Sequence, residues 1–485
     1  MESINLITVL VLEADLLIRI GFSVRVIMRR RPVGVSLAWL MIILAFPFGG
    51  AVIYLAFGET RLGNRRAKRA SLIHGPYLDW LADVDKRTDI HWSRLGPETE
   101  ALARLTEATV GLPPMSGNHV ELIEETDAVF RRIIADVDAA QRTCHMVFYI
   151  WNNGGLADEV ADALIRAAKR GVICRVLVDA VGSAPFLRSE TAHRMREVGI
   201  RLHAALPVGL VRSLFFRLDL RMHRKIVVID GEIGYTGSLN MVDPRYFKQG
   251  AGVGQWVDAM VRVRGPIVEG LALTFLEDWE LDTGEGLEQL RQTGDVRALD
   301  EAGKAVVQVV PSGPITESHT IQQVLLMAIY AARRELVLTS PYFVPDELLL
   351  TALVSAARRG VEVTLIVPAK VDSLLVRLAS QAHKIDLLEA GVKIALFEGG
   401  LLHTKSISVD GEFSLFGSLN LDPRSLWLNF EITLAAYDRD FTANLRRLQQ
   451  RYIEHSQFMD LDAWRKQPMV ERLVVNTARL LSPLI

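Results

Sequence analysis

His223-Arg-Lys225-Ile-Val-Val-Ile-Asp230-Gly-Glu-Ile-Gly-Tyr-Thr-Gly237-Ser238-Leu-Asn240 is answered further along by His403-Thr-Lys405-Ser-Ile-Ser-Val-Asp410-Gly-Glu-Phe-Ser-Leu-Phe-Gly417-Ser418-Leu-Asn420. Six positions, the His, Lys, Asp, Gly, Ser and Asn, keep the same internal spacing. At about one in twenty per residue type, one such match arises by chance on the order of 10⁻⁸ times per start position, so two in one chain mark a duplication. The surroundings repeat too. Met146–Trp151 is a short β-rich run matched by Leu336–Tyr342, and Ala163–Gly171 is answered by Ala352–Gly360. Each of the latter has apolar residues at helical spacing and a glycine where a C-cap belongs. Strands follow at Val172–Val178 and Val361–Val367, and Gly199 and Gly391 each close another helix. The order β-α-β-α-β, twice over, predicts an α/β fold. Two pseudo-symmetric half-domains, each a parallel-rich sheet flanked by helices, would face each other across one shared active site.

The repeated residues carry a chemistry. Residues two apart on a strand point the same way, so His223 and Lys225 share a face, as do His403 and Lys405. Ile226–Ile229 continues the first strand and Asp230-Gly231 makes a turn. Beside the His and Lys, Gly237-Ser238 leaves room for a phosphate and exposes backbone N–H groups to it, and Asn240 adds an amide donor. Ser418 and Asn420 repeat the arrangement. Exchange at a phosphodiester needs a nucleophile, a proton donor for the departing alcohol, and cations for the phosphate oxygens. One neutral imidazole attacks phosphorus to give a phosphohistidine, while the other, as imidazolium, protonates the leaving oxygen. Lys225 and Lys405 neutralise the phosphate, so the reading calls for no metal and no cofactor. Asp258 lies 35 residues after His223, and Glu431 lies 28 after His403. Each carboxylate is expected to accept the Nδ1–H of the histidine in its own copy, the plainer alternative being a surface carboxylate beside a strand.

Composition bounds the rest. The chain has 485 residues, half of them hydrophobic, and a net charge of −2, so it is a folded protein without the basic field of a nucleic-acid binder. Cys144 and Cys174 are its only cysteines and read as buried thiols. Leu37–Phe57 carries no charge over 21 residues, close to the roughly 20 that cross a bilayer, and predicts a membrane anchor. The preceding apolar stretch, residues 4–27, holds Glu13, Asp15, Arg19 and Arg25, so a spanning and an interfacial helix both remain open for it. Asp15 and Arg19 are spaced to pair. Arginines 29–31 precede the charge-free stretch, and a larger basic run from Arg61 to Arg69 follows it. A straight span would separate two clusters that both favour the cytoplasm. The larger cluster places the catalytic part in the cytoplasm; a re-entrant loop broken at Pro47-Phe-Gly-Gly50 would satisfy both. The expected domains are an anchor at 1–58, a linker at 59–118, and half-domains at 119–300 and 301–485. Apolar residues at helical spacing from Met469 to Leu481 suggest a last helix, packed on the core or lying on the membrane.

The paired motif resembles the HKD signature of the phospholipase D superfamily. The chain is more closely similar to the bacterial cardiolipin synthases of the A type, and over nearly its whole length. That similarity includes Tyr149-Ile-Trp-Asn-Asn-Gly-Gly155, Asp219-Leu-Arg-Met-His223, Met241–Lys248, Gly254-Gln-Trp256, Ser340–Asp346, Asp422-Pro-Arg-Ser425 and Ser482-Pro-Leu. The resemblance implies two phospholipase D-like half-domains and catalytic roles for His223, Lys225, Asp230, His403, Lys405 and Asp410. It implies condensation of two phosphatidylglycerol molecules into cardiolipin and glycerol at a bacterial inner membrane, with His223 as nucleophile and His403 as acid. Arg221, Arg245 and Arg424 adjoin the motifs, where headgroup contact and structural ion pairing both fit. A membrane phospholipase D acting on other lipids, or a scaffold binding anionic lipid without turnover, would carry the same motifs.

Overall fold

The computed structural model describes residues 2–29, 33–59, 64–85, 90–209, 217, 219–314 and 319–462, with 468, 469, 473 and 477. The expected helix from Met469 to Leu481 lies almost wholly outside the described residues. The first copy contributes β1 (Met115–Ile123), β2 (Thr143–Phe148), β3 (Ile173–Asp179), β4 (Arg201–Ala205), β5 (Ile226–Ile229), β6 (Ile233–Gly237), β7 (Trp256–Val257) and β8 (Met260–Arg264). The second contributes β9 (Ala305–Ser312), β10 (Glu335–Thr339), β11 (Glu362–Pro368), β12 (Lys393–Phe397), β13 (Leu401–Leu402), β14 (Ser406–Val409), β15 (Phe413–Gly417) and β16 (Glu431–Ala436). A short edge strand, β17 (Ser456–Phe458), follows.

Fifteen of these form one sheet, ordered β17-β12-β11-β10-β14-β15-β16-β9-β1-β8-β6-β5-β2-β3-β4. Read outward from the antiparallel pair β1–β9, the two sides match strand for strand as far as β4 and β12, with β17 added beyond β12, which places the pseudo-two-fold between β1 and β9. The expected parallel-rich sheet is corrected to a mixed one. Within this sheet, among the described residues, only β2-β3-β4 and β10-β11-β12 run parallel. The motif strands β5 and β14 pair antiparallel on both sides, with β2 and β6 and with β10 and β15. The Asp-Gly turns after them are too short for a crossover, and a short turn permits only an antiparallel return. The helix Ile267–Thr283 is buried along most of its length beneath the first copy's strands, its Glu269, Asp278 and Glu280 included.

The expected linker is a pair of helices. Numbering helices from the N-terminus, α1 is Glu2–Met28, α2 Val33–Ala45, α3 Pro47–Ile53, α4 Asn64–Asp85 and α5 Pro97–Val110. α4 packs on Ile267–Thr283: His74 Nδ1 lies 3.0 Å from Glu277, and the buried Tyr77 hydroxyl donates to Glu280 at 3.1 Å. α5 packs on the second copy's helix Thr320–Ala331, so the segment bridges both halves.

The charge-free stretch Leu37–Phe57, expected as a membrane anchor, is not one continuous helix. Phe46 leaves the helical region (φ −132°, ψ 72°) and Pro47 opens α3. Proline disfavours helical geometry in the residue before it and supplies no N–H of its own. Among the described residues, no helix is long and apolar enough to cross a membrane. The pairing expected within the first stretch is present, with Arg19 Nε 2.6 Å from Asp15.

The motif glycines owe their identity to packing. A Cβ on Gly417 would lie 2.2 Å from the Ile432 carbonyl oxygen, and one on Gly237 2.5 Å from that of Ala259. In each copy the neighbouring strand, and not a phosphate, excludes a side chain. Gly417→Ala is therefore expected to cost about 1–3 kcal/mol through overpacking. Urea unfolding should show a lower midpoint at an unchanged slope.

Candidate active site

Both His-x-Lys segments lie where the copies meet, stitched there by backbone. The His223 N–H donates to the Phe430 carbonyl at 2.9 Å, and the Phe430 N–H donates to that of Arg221 at 2.9 Å. Symmetrically, the His403 N–H donates to the Val257 carbonyl at 2.8 Å, beside the parallel pair β7–β13. Each histidine thus runs alongside the segment that carries the other copy's carboxylate.

The side chains follow the backbone. His223 Nδ1 lies 2.8 Å from Glu431 Oε2, and His403 Nδ1 lies 2.7 Å from Asp258 Oδ1. Asp258 and Glu431 each meet a histidine, and in both cases it is the histidine of the opposite copy and not the same-copy one expected. Spacing along the chain says how far apart the residues are in sequence, not which strand end docks against which. With Nδ1–H held by a carboxylate, each ring presents Nε2 to the site.

Ser238 and Ser418, expected at the phosphate, are spoken for. Ser238 Oγ donates to Asp258 at 2.6 Å and accepts the Ala259 N–H; Ser418 Oγ donates to Glu431 at 2.6 Å and accepts the Ile432 N–H. They hold the carboxylates that hold the histidines. Asn240 and Asn420 do keep capacity for a ligand. The Asn240 Oδ1 accepts the Ile150 N–H, while its Nδ2, like the Asn420 Oδ1, is buried with no partner among the described residues.

Asp230 and Asp410, expected among the catalytic residues, sit beyond the far end of the motif strands. Both take positive φ (53°) at the turn. Asp230 accepts the backbone N–H groups of Gln141, Arg142 and Thr143 at 2.7–2.9 Å, and Asp410 those of Arg333, Arg334 and Glu335 at 2.7–2.8 Å. Their work is to fasten β5 and β14 to the starts of β2 and β10. Of the arginines beside the motifs, Arg245 is tied to Asp243 (2.7 Å) and Arg424 to Asp219 (3.4 Å), and Arg221 donates to the Leu220 carbonyl (2.7 Å).

Burial sets the charge state. It drives both imidazoles down to about 4, against the opposing pull of Glu431 on His223 and Asp258 on His403, so the empty site holds them neutral. Burial also lowers Lys225 to about 8 and Lys405 to about 7, with the carboxylates opposing. For Asp258 and Glu431 burial works upward but is outweighed by the facing histidine, a lysine and the serine, and both stay ionised. Each ammonium donates to the carbonyl of its own motif histidine. An entering phosphodiester adds a negative charge that favours the charged lysines and the protonation of one imidazole.

Other groups to which the sequence reading gave no role complete the site. Arg224, between His223 and Lys225, is buried, bonded to Asp278 at 2.6 Å, and donates to the Glu431 carbonyl at 3.0 Å. The Tyr149 ring lies 5.0 Å from His223, and the Trp256 ring 4.3 Å from His403. Both aromatics belong to the first copy, so the two half-sites are not equivalent. Asp179 accepts the Met222 N–H at 2.9 Å and so fixes the approach to His223.

A family model described as "Cardiolipin synthase, PLD-like domain" matches residues 133–259 and 325–453, more than half of the chain. A second, "Phospholipase_D-nuclease N-terminal", matches residues 18–59. Cardiolipin synthase A of Klebsiella pneumoniae (strain 342) is 46% identical over 465 residues, 96% of each chain. That of Cronobacter sakazakii (strain ATCC BAA-894) is 46% identical over the same shares. The crystal structure of phosphatidylserine synthase from Haemophilus influenzae Rd KW20 shares the fold, with a TM-score of 0.59 and 16% identity, covering 79% of this chain and 99% of that one.

The crossed pairing has a direct spectroscopic consequence. Because Glu431 opposes the downward shift of His223, Glu431→Gln should lower the His223 titration further and leave His403 in place, read by ¹⁵N imidazole NMR; movement of His403 instead would restore the same-copy pairing. Asp230→Asn should lower stability by about 2 kcal/mol, as expected for weakened hydrogen bonds to a charged group. The His223 titration should stay where it is.

Proposed function

The chain belongs to the cardiolipin synthase family of phospholipase D-like proteins, and on that premise we propose that it joins two phosphatidylglycerol molecules into cardiolipin and glycerol. The observation that carries the mechanism is the pair of crossed Nδ1–carboxylate bonds, which leaves two Nε2 atoms and two lysines at one buried junction. His223 Nε2 attacks the phosphorus of the donor lipid. The bond from phosphorus to the glycerol oxygen breaks, and His403, protonated in the loaded site, gives its proton to that oxygen. The free glycerol hydroxyl of a second phosphatidylglycerol then loses its proton to His403 and attacks the phosphohistidine. The P–N bond breaks, cardiolipin forms, and both imidazoles return to their starting states.

Lys225 and Lys405 hold the phosphate oxygens, and the Asn240 and Asn420 amides supply further polar contacts. Asp258 and Glu431 keep each ring in one tautomer and stabilise it when charged. Within this reading residues 119–300 and 301–485 are the two half-domains, neither complete without the other. Residues 1–58 attach the enzyme to a bacterial inner membrane, with the catalytic body on the cytoplasmic side. The apolar side chains exposed along α1–α3 support that attachment.

Purified protein supplied with ³²P-labelled phosphatidylglycerol in vesicles should yield cardiolipin and free glycerol; phosphatidic acid as the sole product overturns the proposal. His223→Ala should lower turnover by more than about 10³-fold. Acid-sparing quenches of the native enzyme should leave label on His223, and label on His403 would reverse the two roles. The pH profile follows from the charge states. The nucleophile is neutral above about 4, and the phosphate-holding cations are lost as pH rises through about 7 (Lys405) and 8 (Lys225). kcat/KM should therefore fall on the alkaline side across that window.

A further inference from the structure

The charge-free stretch folds back on itself. α1 and α2 run antiparallel: the Arg19 guanidinium, well before the end of α1, donates to the Leu44 carbonyl at the end of α2. Past the break at Phe46 the chain turns upward again. Tyr54 reaches Phe22 and Trp39, with ring centroids 5.9 and 5.2 Å away. Glu59, buried, then meets Arg25 at 2.6 Å and Arg29 at 3.2 Å near the top of α1. Only residues 30–32 separate Arg29 from Val33, the first residue of α2. The start of α2 and the end of the returning arm therefore lie at the same end of α1.

We propose that residues 33–58 form a re-entrant hairpin seated in one leaflet, the cytoplasmic one, of an anionic membrane. The inference rests on the membrane attachment proposed above and goes beyond it by giving the hairpin's depth and sidedness.

Three observations carry it. The first is length: thirteen residues make α2 about 20 Å long, short of the roughly 30 Å hydrocarbon core. The second is surface. No charged residue occurs between Val33 and Gly58, and Val33, Met41, Phe46, Phe48 and Val52 all stand exposed around the hairpin. Backbone at that depth must find its partners within the protein. Here the Leu44 carbonyl takes the Arg19 guanidinium, the Phe46 N–H donates to Ile42, and the Gly50 N–H donates to Phe46. Gly50 permits the close return, since a Cβ there would sit 2.8 Å from the Ile42 carbonyl oxygen.

The third is charge. The Arg29–Glu59 contact brings together the two chain positions that border the basic residues at 29–31 and 61–69, where a straight span would part them. Anionic headgroups of the cytoplasmic leaflet are the complement of such a cluster. The next element, α4, is docked on the catalytic body through His74 and Tyr77.

The test places single reactive cysteines by Arg31→Cys and Arg65→Cys in the full chain. Cys144 and Cys174 are free but buried and should stay silent, with each variant checked for turnover. A membrane-impermeant maleimide should label neither position in intact cells and both once the cells are permeabilised. Labelling of either position from outside overturns the hairpin while leaving membrane attachment intact. Recovery of the protein among soluble proteins would instead remove the membrane reading on which the hairpin rests.

Discussion

Two buried hydrogen bonds, His223 to Glu431 and His403 to Asp258, are the constraint around which the rest is arranged. A carboxylate withdrawn from water needs a partner, and stripping one member from a buried pair costs about 3–5 kcal/mol. Neither copy can meet that need alone. Glu431 has Ser418 and Asn429 within its own half, and Asp258 has Ser238, but the imidazole each faces comes from the other half. Docking of the halves and assembly of the reactive groups are therefore one event. The short parallel pair β7–β13 and the His223–Phe430 bridge set the register that makes both bonds reachable.

The same requirement accounts for the motif residues beyond the histidines and lysines. Gly237 and Gly417 let the next strand pass close enough for Ser238 and Ser418 to reach the carboxylates. Asp230 and Asp410 close the distal turns and align β5 with β2 and β14 with β10. A motif that reads as six chemical groups is thus two kinds of part. In the proposed mechanism His and Lys meet the phosphate and Asn offers a polar atom, while Asp, Gly and Ser hold these in place. Burial then does the electrostatic tuning: it neutralises the imidazoles and brings the lysines near neutrality, where an arriving phosphate can shift both.

Symmetry stops at the second layer. Arg224 anchors the first motif through Asp278 and the Glu431 carbonyl, whereas its counterpart Thr404 bonds to Val257 and Tyr452. Tyr149 and Trp256, both from the first copy, cover different histidines. A reaction with distinct nucleophile and acid calls for such a difference, and the duplicated motif alone cannot supply it.

The duplication, the His-x-Lys chemistry, the involvement of Asp258 and Glu431, and the apolar N-terminus were all legible in the sequence. Each is written in residue type and in spacings of a few residues, where strand alternation and turn chemistry act locally. The antiparallel interior of the sheet was legible in the Asp-Gly turns, but the repeated helices drew the reading toward parallel strands. What only the tertiary structure decided is which carboxylate serves which histidine, that the serines hold carboxylates, and that Pro47 folds a charge-free stretch into a hairpin. The His–carboxylate partners lie 208 and 145 residues apart. Contacts over such separations are selected by how whole sheets and helices dock, through burial and backbone registry summed over many residues, and no local spacing encodes that sum.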